Sequence, residues 1–271
     1  MMISQMALAV LTTILNQPCP AASAPVTSQP ATSTAPSSTS APAVAPAVLK
    51  ILADQEAAGN KYATVRAQLN MKVVDRRVGD SEERTGWVVY QKAGKETPSR
   101  FRVHFDTLQQ GAGPRRAQKL DYAFDGNWLS IAKHNVKQMH RLQVVTKGQK
   151  ASPMRIGQGP LPLPFGQKAS DVLEYYEAET RPVAKDEPAG TKYLKLSARK
   201  EHYRKLDVVR IEMWLNDKTH LPAKLVARDK KNKVTTAIFT KVKTNETIDT
   251  KKVFELPTPG GWTEEKKLLQ K

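Results

Sequence analysis

The sequence has almost no cysteine: its one thiol, Cys19, stands near the start of a chain of 271 residues. The remaining chain therefore has no disulfide, no cysteine-based zinc site and no thiol nucleophile. Three further patterns are missing, namely His-Glu-x-x-His, Gly-x-x-x-x-Gly-Lys-Ser/Thr and Gly-x-Ser-x-Gly. These are typical of a zinc protease, a phosphate-binding loop and a serine hydrolase. We therefore expect neither an enzyme nor a bound metal or cofactor.

Charged residues are absent from positions 1–49. An apolar run at Met6–Leu15 is too short to span a bilayer, but it has the length of a signal-peptide core. Small residues follow at positions 21–24, as a cleavage site requires. We predict a signal peptide over residues 1–23 and a periplasmic location. The residues before Cys19 are not those of a lipoprotein signal, so lipidation there is not expected.

The next segment, residues 24–46, consists mostly of Ala, Pro, Ser and Thr and carries no charge. Such a composition cannot bury a core and predicts a disordered linker. Hydrophobic residues make up 39% of the whole chain, which is enough for one folded domain after this linker. We place that domain at residues 47–262 and a charged tail at residues 263–271.

The chain is strongly basic, with a formal net charge of +17. Such a charge attracts polyanions, either nucleic acid or an anionic membrane surface. Lysines such as Lys230, Lys231 and Lys233 fall in a predicted turn, and no aromatic residues alternate with basic ones as in RNA-binding motifs. We therefore expect an anionic membrane surface as a partner and no nucleic acid.

Apolar and polar residues alternate from Tyr62 to Val73. A period of two over this length predicts a long strand with one wet face, which is typical of antiparallel sheets. Similar patterns recur to the end of the chain and predict nine to eleven strands joined by hairpins, the last at 254–257. Helices are expected only over 47–59 and 171–179.

A sheet with this many strands twists and curls, and two short helices are too few to cover its apolar face. The prediction is an α+β, mainly β fold: an unclosed antiparallel half-barrel with short helices as a lid over a concave apolar face. Such a face suits a water-insoluble ligand. The alternative is that the helices and the Pro/Gly-rich segment 151–166 complete an ordinary packed core.

Several short motifs follow one another in a familiar order between residues 47 and 262. They are Gly86-Trp87-Val88, Pro98 with Phe101, Asp125-Gly126 before Trp128-Leu129, Leu163-Pro164-Phe165, and Phe254 with Pro257 and Gly260. In this order and spacing the chain resembles the outer-membrane lipoprotein carrier family, LolA and its LolB-like relatives.

The resemblance implies a monomeric carrier that takes lipid or lipoprotein acyl chains through the periplasm, from an inner-membrane transporter to an outer-membrane acceptor. It implies binding and release rather than catalysis. Thr97 stands where the family has an arginine that latches the lid. The residues expected to contact the acyl chain are apolar side chains of the concave face: Val65, Leu69, Met71, Val88, Tyr90, Phe101, Val103, Phe105, Leu129, Ile131, Ile211 and Met213.

Two other functions fit the same fold. One is an envelope sensor or regulatory module that recognises lipid or misfolded protein and binds a membrane partner. The other is a non-enzymatic protein with a filled core that binds anionic surfaces through its basic exterior.

Overall fold

The computed structural model describes residues 44–95, 97–144 and 167–269. The predicted signal peptide, Cys19 and the segment 151–166 lie outside the described residues. Within the described ranges, no helix has the length and apolar character that a membrane crossing needs.

Within the described part of the chain, twelve strands form a single sheet. Their bounds are β1 Thr64–Asp75, β2 Asp80–Gln91, β3 Arg100–Gln110, β4 Arg116–Phe124, β5 Trp128–Lys133, β6 Gln138–Gln143, β7 Tyr176–Glu179, β8 Thr191–Ala198, β9 Val208–Asn216, β10 Pro222–Asp229, β11 Lys233–Thr244 and β12 Thr263–Lys267. The strand order is β12-β6-β5-β4-β3-β2-β1-β11-β10-β9-β8-β7.

The chain runs outward from the middle of the sheet through β1 to β6 and returns from the opposite edge through β7 to β11, so that β11 pairs with β1. Neighbouring strands are antiparallel except β12, which pairs with β6 in parallel. The sheet ends at β7 and β12 and does not close into a barrel. The predicted fold class, mainly β with an unclosed antiparallel sheet, is confirmed.

Among the described residues, three α-helices accompany the sheet: α1 (Pro46–Lys61), α2 (Ala169–Tyr175) and α3 (Thr250–Phe254). The helix predicted over 171–179 is wrong in its last part, because residues 176–179 pair with β8 and form β7. The strand predicted at 254–257 is also wrong. The Asp249 side chain accepts a hydrogen bond from the Lys252 backbone N–H at 3.1 Å and caps α3 instead.

One face of the sheet, here called the inner face, packs against α1. The helix contributes a stripe at helical spacing, with Val48, Ile51 and Leu52 buried. Alternate residues of β1 to β4 and of β8 to β11 join these side chains and Val172 of α2 in one continuous apolar cluster. The opposite face is called the outer face, and much of it is polar.

Two segments cover the outer face on either side of its centre, and these two covered parts are called its wings. The C-terminal segment places Leu256 against Ala123, Ala132 and Met139, with Trp262 packed beside them, and so covers β4 to β6. At the other wing, the Arg181 guanidinium lies 3.8 Å from the centre of the Tyr193 ring and covers β8.

Two of the short motifs noted in the sequence touch each other in the fold. Gly126 has a backbone φ of +112°, a conformation that favours glycine. A Cβ atom on Gly126 would lie 2.0 Å from Cγ of Pro98, so the proline ring fills the space beside the glycine. The Pro and Asp-Gly motifs thus meet in a direct contact between two turns of the sheet.

Candidate functional site

The structure places all twelve residues predicted to contact an acyl chain on the inner face. The strand register aligns them across the sheet, with Val65 opposite Tyr90 and Tyr90 opposite Phe101. This agreement follows from strand geometry, since every second residue of a strand points to the same face. Their contact with a lipid stays a prediction.

The twelve residues differ in how deeply they are buried. Met71 and Leu129 are half-buried and pack against the apolar cluster, and Ile131 is half-buried. The other nine are buried: Val65, Leu69, Val88, Tyr90, Phe101, Val103, Phe105, Ile211 and Met213. The described inner face is thus largely occupied by its own side chains and by α1.

Sequence reasoning missed the part of the inner face that α1, β8 and β10 to β11 supply. These additional buried residues are Val48, Ile51, Leu52, Leu194, Leu196, Leu225 and Phe239. The helix residues have the i, i+3, i+4 spacing of an amphipathic helix, and the strand residues alternate with polar ones. Both signals were present in the sequence and would have located them.

Polar contacts attach helix α1 to the rest of the fold at several points. The backbone N–H of Ala169, at the start of α2, donates to the Glu56 carboxylate at 2.9 Å. Lys192 Nζ of β8 lies 3.4 Å from the Asp54 carboxylate. At the other end of the helix, Lys92 Nζ donates to the backbone carbonyl of Asn60 at 2.9 Å.

Thr97 belongs to the turn between β2 and β3 and makes its contacts there. Its carbonyl accepts a hydrogen bond from the Gly94 N–H at 2.8 Å, and its hydroxyl lies 3.3 Å from the same nitrogen. The polar contacts of α1 given above involve Glu56, Asp54 and Asn60, and Thr97 is not part of them.

The inner face contains few polar groups. The Tyr176 hydroxyl donates to the backbone carbonyl of Val208 at 2.8 Å, and burial raises the pKa of this tyrosine. Burial likewise raises the pKa of Tyr90. Near one end of β2, the buried Arg84 pairs with Glu82 and lies over the Phe105 ring. A face that is mostly apolar suits a hydrocarbon ligand better than a polar one.

The outer face carries a buried carboxylate, Asp121, whose side chain is 1% exposed. It accepts from Arg102 Nε at 2.8 Å, and His104 Nδ1 and His134 Nε2 lie 2.8 and 2.7 Å from its oxygens. Arg102 also donates to the carbonyl of Val253 at 3.2 Å and so positions α3. Sequence reasoning missed this cluster, because its members are separated in the chain and match no motif.

Two of the cavities lined by described residues contain none of the twelve predicted residues in their walls. One, of about 480 Å³, opens on the outer face between β2, β1 and β11. The other, of about 690 Å³, lies beside α3 and Arg141. Among the residues that the structure describes, no group of His, Cys, Asp and Glu side chains is arranged to hold a metal ion.

No protein-family model and no curated protein matches the chain. Solved structures similar to it include an uncharacterized conserved protein from Thermus thermophilus, with 12% identity, a TM-score of 0.45, and 82% of this chain and 99% of that chain covered. A putative outer membrane lipoprotein-sorting protein domain from Vibrio parahaemolyticus has 11% identity and a TM-score of 0.38, with coverage of 75% and 94%.

A LolA superfamily protein from Nitrosomonas europaea has 13% identity and a TM-score of 0.35, with 77% of this chain and 97% of that chain covered. It carries the family name that the sequence motifs suggested. All three TM-scores are below 0.5, and we transfer no function from these proteins to the chain.

Proposed function

We propose that this protein binds the acyl chain of a lipid or lipoprotein on its inner face, beneath α1, and carries it outside the cytoplasm toward the outer membrane. The observation that carries the proposal is a continuous apolar inner face covered by a helix, α1, whose buried stripe meets that face through apolar side chains. An inner-membrane transporter and an outer-membrane acceptor would be its partners in this role.

The energetics of the lid support this proposal. Val48, Ile51 and Leu52 of α1 contact the inner face through apolar surface alone, and such contacts have no directional requirement. Methylene groups of an acyl chain could replace them with little net loss. Each CH₂ withdrawn from water contributes about 0.8 kcal/mol, so a long chain would compensate for displacing the helix.

A second candidate is a protein with a filled core that binds anionic surfaces. It is favoured by the burial of nine of the twelve predicted residues, which belong to the cluster that α1 completes. In this case α1 is a permanent part of the core, and the function resides in the basic exterior.

The two candidates differ in what the intact protein carries when it is purified from its own membranes. Native mass spectrometry should detect a lipid adduct if the carrier proposal is right, and the protein should take up a fluorescent fatty acid. Absence of both the adduct and the uptake would favour the filled core.

A variant of the lid attachment makes the test sharper. Glu56→Ala removes the hydrogen bond between α1 and α2, and bonds to charged groups are worth about 1.5–3 kcal/mol. Uptake of the fluorescent fatty acid should become faster by about tenfold or more. Glu201→Ala, at an exposed glutamate in the turn after β8, is the matched control and should leave uptake unchanged. Equal uptake in all three proteins would contradict a lid role for α1.

A further inference from the structure

The middle of the outer face differs from its two wings. The C-terminal segment covers β4 to β6, and Arg181 covers β8, whereas a cavity of about 480 Å³ opens between β2, β1 and β11. Cationic, aromatic and amide side chains share its wall with two carboxylates. Its lining residues are Arg66, Ala67, Gln68, Gly86, Trp87, Asp106, Lys241, Lys243 and Glu246.

A β-bulge brings the cations of this cavity together. The register between β1 and β11 shifts between Arg66 and Gln68, so that Arg66 lies opposite Lys243. Lys241, in the bulge, has a backbone φ of +49°. A left-handed conformation is unfavourable for lysine and persists only where the surrounding structure imposes it, and bulges re-aim side chains at binding sites. Two lysines two residues apart thus line the same cavity as Arg66.

The charges of the cavity are only partly balanced. Lys243 Nζ pairs with Glu246 at 2.9 Å, and Asp106 faces His104 at 3.1 Å. Within the part of the chain that the structure describes, no carboxylate forms an ion pair with Arg66 or Lys241. The Arg66 guanidinium lies 5.6 Å from the centre of the Trp87 ring, which restricts its orientation. The cavity wall therefore has three cations against two carboxylates, and Arg66 and Lys241 are the two cations without an ion pair among the described residues.

We propose that this cavity is a phosphate-binding site, which takes the phosphate of an anionic phospholipid headgroup or of a small phosphate ester. Arg66 would supply the planar donor pair that matches phosphate oxygens, with Lys241 and Lys243 as point charges beside it. The site faces away from the inner face, so it is independent of acyl-chain binding and would serve to hold the protein at a membrane surface.

The test uses the full chain and two probes, which separate the two sources of phosphate. Glycerol 3-phosphate is titrated by calorimetry, and co-sedimentation is measured with vesicles of phosphatidylcholine, alone or mixed with phosphatidylglycerol. The test variant is Arg66→Gln/Lys241→Gln. The control is Lys205→Gln/Lys231→Gln, which removes the same charge at exposed positions outside the cavity.

The proposal predicts that the test variant weakens binding by about tenfold while the control variant binds as the wild type does. Binding of glycerol 3-phosphate with this pattern identifies a small-ester site, and the same pattern with vesicles alone identifies a headgroup site. An equal loss in both variants would mean diffuse attraction by the net charge and would overturn the proposal, as would no binding of either probe by the wild type. Circular dichroism of each variant verifies folding.

Discussion

Among single residues, Asp121 determines how the outer face is organised. Burial alone would raise the pKa of its carboxyl, but hydrogen bonds from His104 and Arg102 lower it to about 2. A depressed pKa means that the carboxylate stabilises the fold above the pKa of the unfolded chain, about 3.9, and loses this contribution as the pH falls toward 2. Asp121 is therefore ionised at neutral pH and favours the protonated form of His104.

His104 should make the stability of the protein depend on pH near neutrality. Its hydrogen bond with Asp121 raises its pKa above the ordinary value of about 6.5. The contribution of the charged pair is therefore complete below about pH 6.5 and is lost as the pH rises through the higher folded value. We expect the difference in unfolding free energy between wild type and His104→Gln to be larger at about pH 6 than at about pH 8, as measured by urea denaturation.

His202→Gln is the control for loss of an imidazole, since His202 packs on Tyr175 and away from the Asp121 cluster. A difference for His104→Gln that grows with rising pH would contradict the assigned pKa direction.

Gly86 should tolerate no side chain. A Cβ atom there would lie 1.8 Å from the carbonyl oxygen of His104 and 2.8 Å from Cα of Phe105, and both are backbone atoms of β3. Gly86→Ala must push β2 and β3 apart, and we expect a loss of about 2 kcal/mol or more in a urea unfolding experiment. Gly260→Ala, where a Cβ meets no atom within 4 Å, should change stability by less than about 0.5 kcal/mol. Similar values for the two variants would show that the strands adapt.

At the scale of elements, a strand was predictable where one of its faces is apolar. The alternation in β1 identifies both the strand and its inner face, because a slip of one residue would expose every apolar side chain. β12 has no such signal, since all five residues of Thr263–Lys267 are exposed. It pairs with β6 because Leu256 and Trp262 bring the chain there. The pattern of the strand itself therefore could not predict it.

The alternation of apolar residues in strands also explains which residues of the candidate site could be predicted from the sequence. The twelve inner-face residues follow from period two alone. The cavity on the outer face depends on the bulge at Lys241, and a local register shift between β1 and β11 leaves no mark in the hydrophobic pattern. The Asp121 cluster joins polar residues of β3, β4 and the turn after β5, whose alignment depends on the sheet as a whole.

The C-terminal segment should be a separable part of the fold. Leu256 is buried in a small cluster with Ala123, Ala132 and Met139 on the outer face. Leu256→Ala should cost about 2 kcal/mol, at the low end for a buried leucine because few neighbours surround it. In native-state hydrogen exchange, amides of β12 and β6 should lose protection while those of β1 and β2 keep theirs.

Leu268→Ala, at a residue that is 66% exposed, provides the control and should leave exchange unaltered. If β1 and β2 lost protection together with β12, the segment would be part of the global unfolding unit instead.

For the whole molecule, α1 connects the two halves that meet at the β1–β11 pair. Its Asp54 contacts Lys192 of β8, in the returning half, and its Asn60 contacts Lys92, at the end of β2 in the outgoing half. Because β7 and β12 do not pair, closure of the sheet does not fix the space above the inner face. The helix and its contacts with both halves fix it, so movement of α1 would change that space most directly.

This arrangement predicts how affinity depends on the length of the ligand. If an acyl chain replaces α1 over the inner face, each added methylene leaves water and contributes about 0.8 kcal/mol, which is about a fourfold gain in affinity. Saturated fatty acids of increasing length, measured by displacement of a fluorescent fatty acid, should show this slope and then a plateau once the apolar face is filled. Dicarboxylic acids of the same lengths are the matched controls, because a second carboxylate cannot be buried without a large penalty. An affinity independent of length in the first series would mean that only the carboxylate is bound, at the basic exterior, and that α1 stays in place.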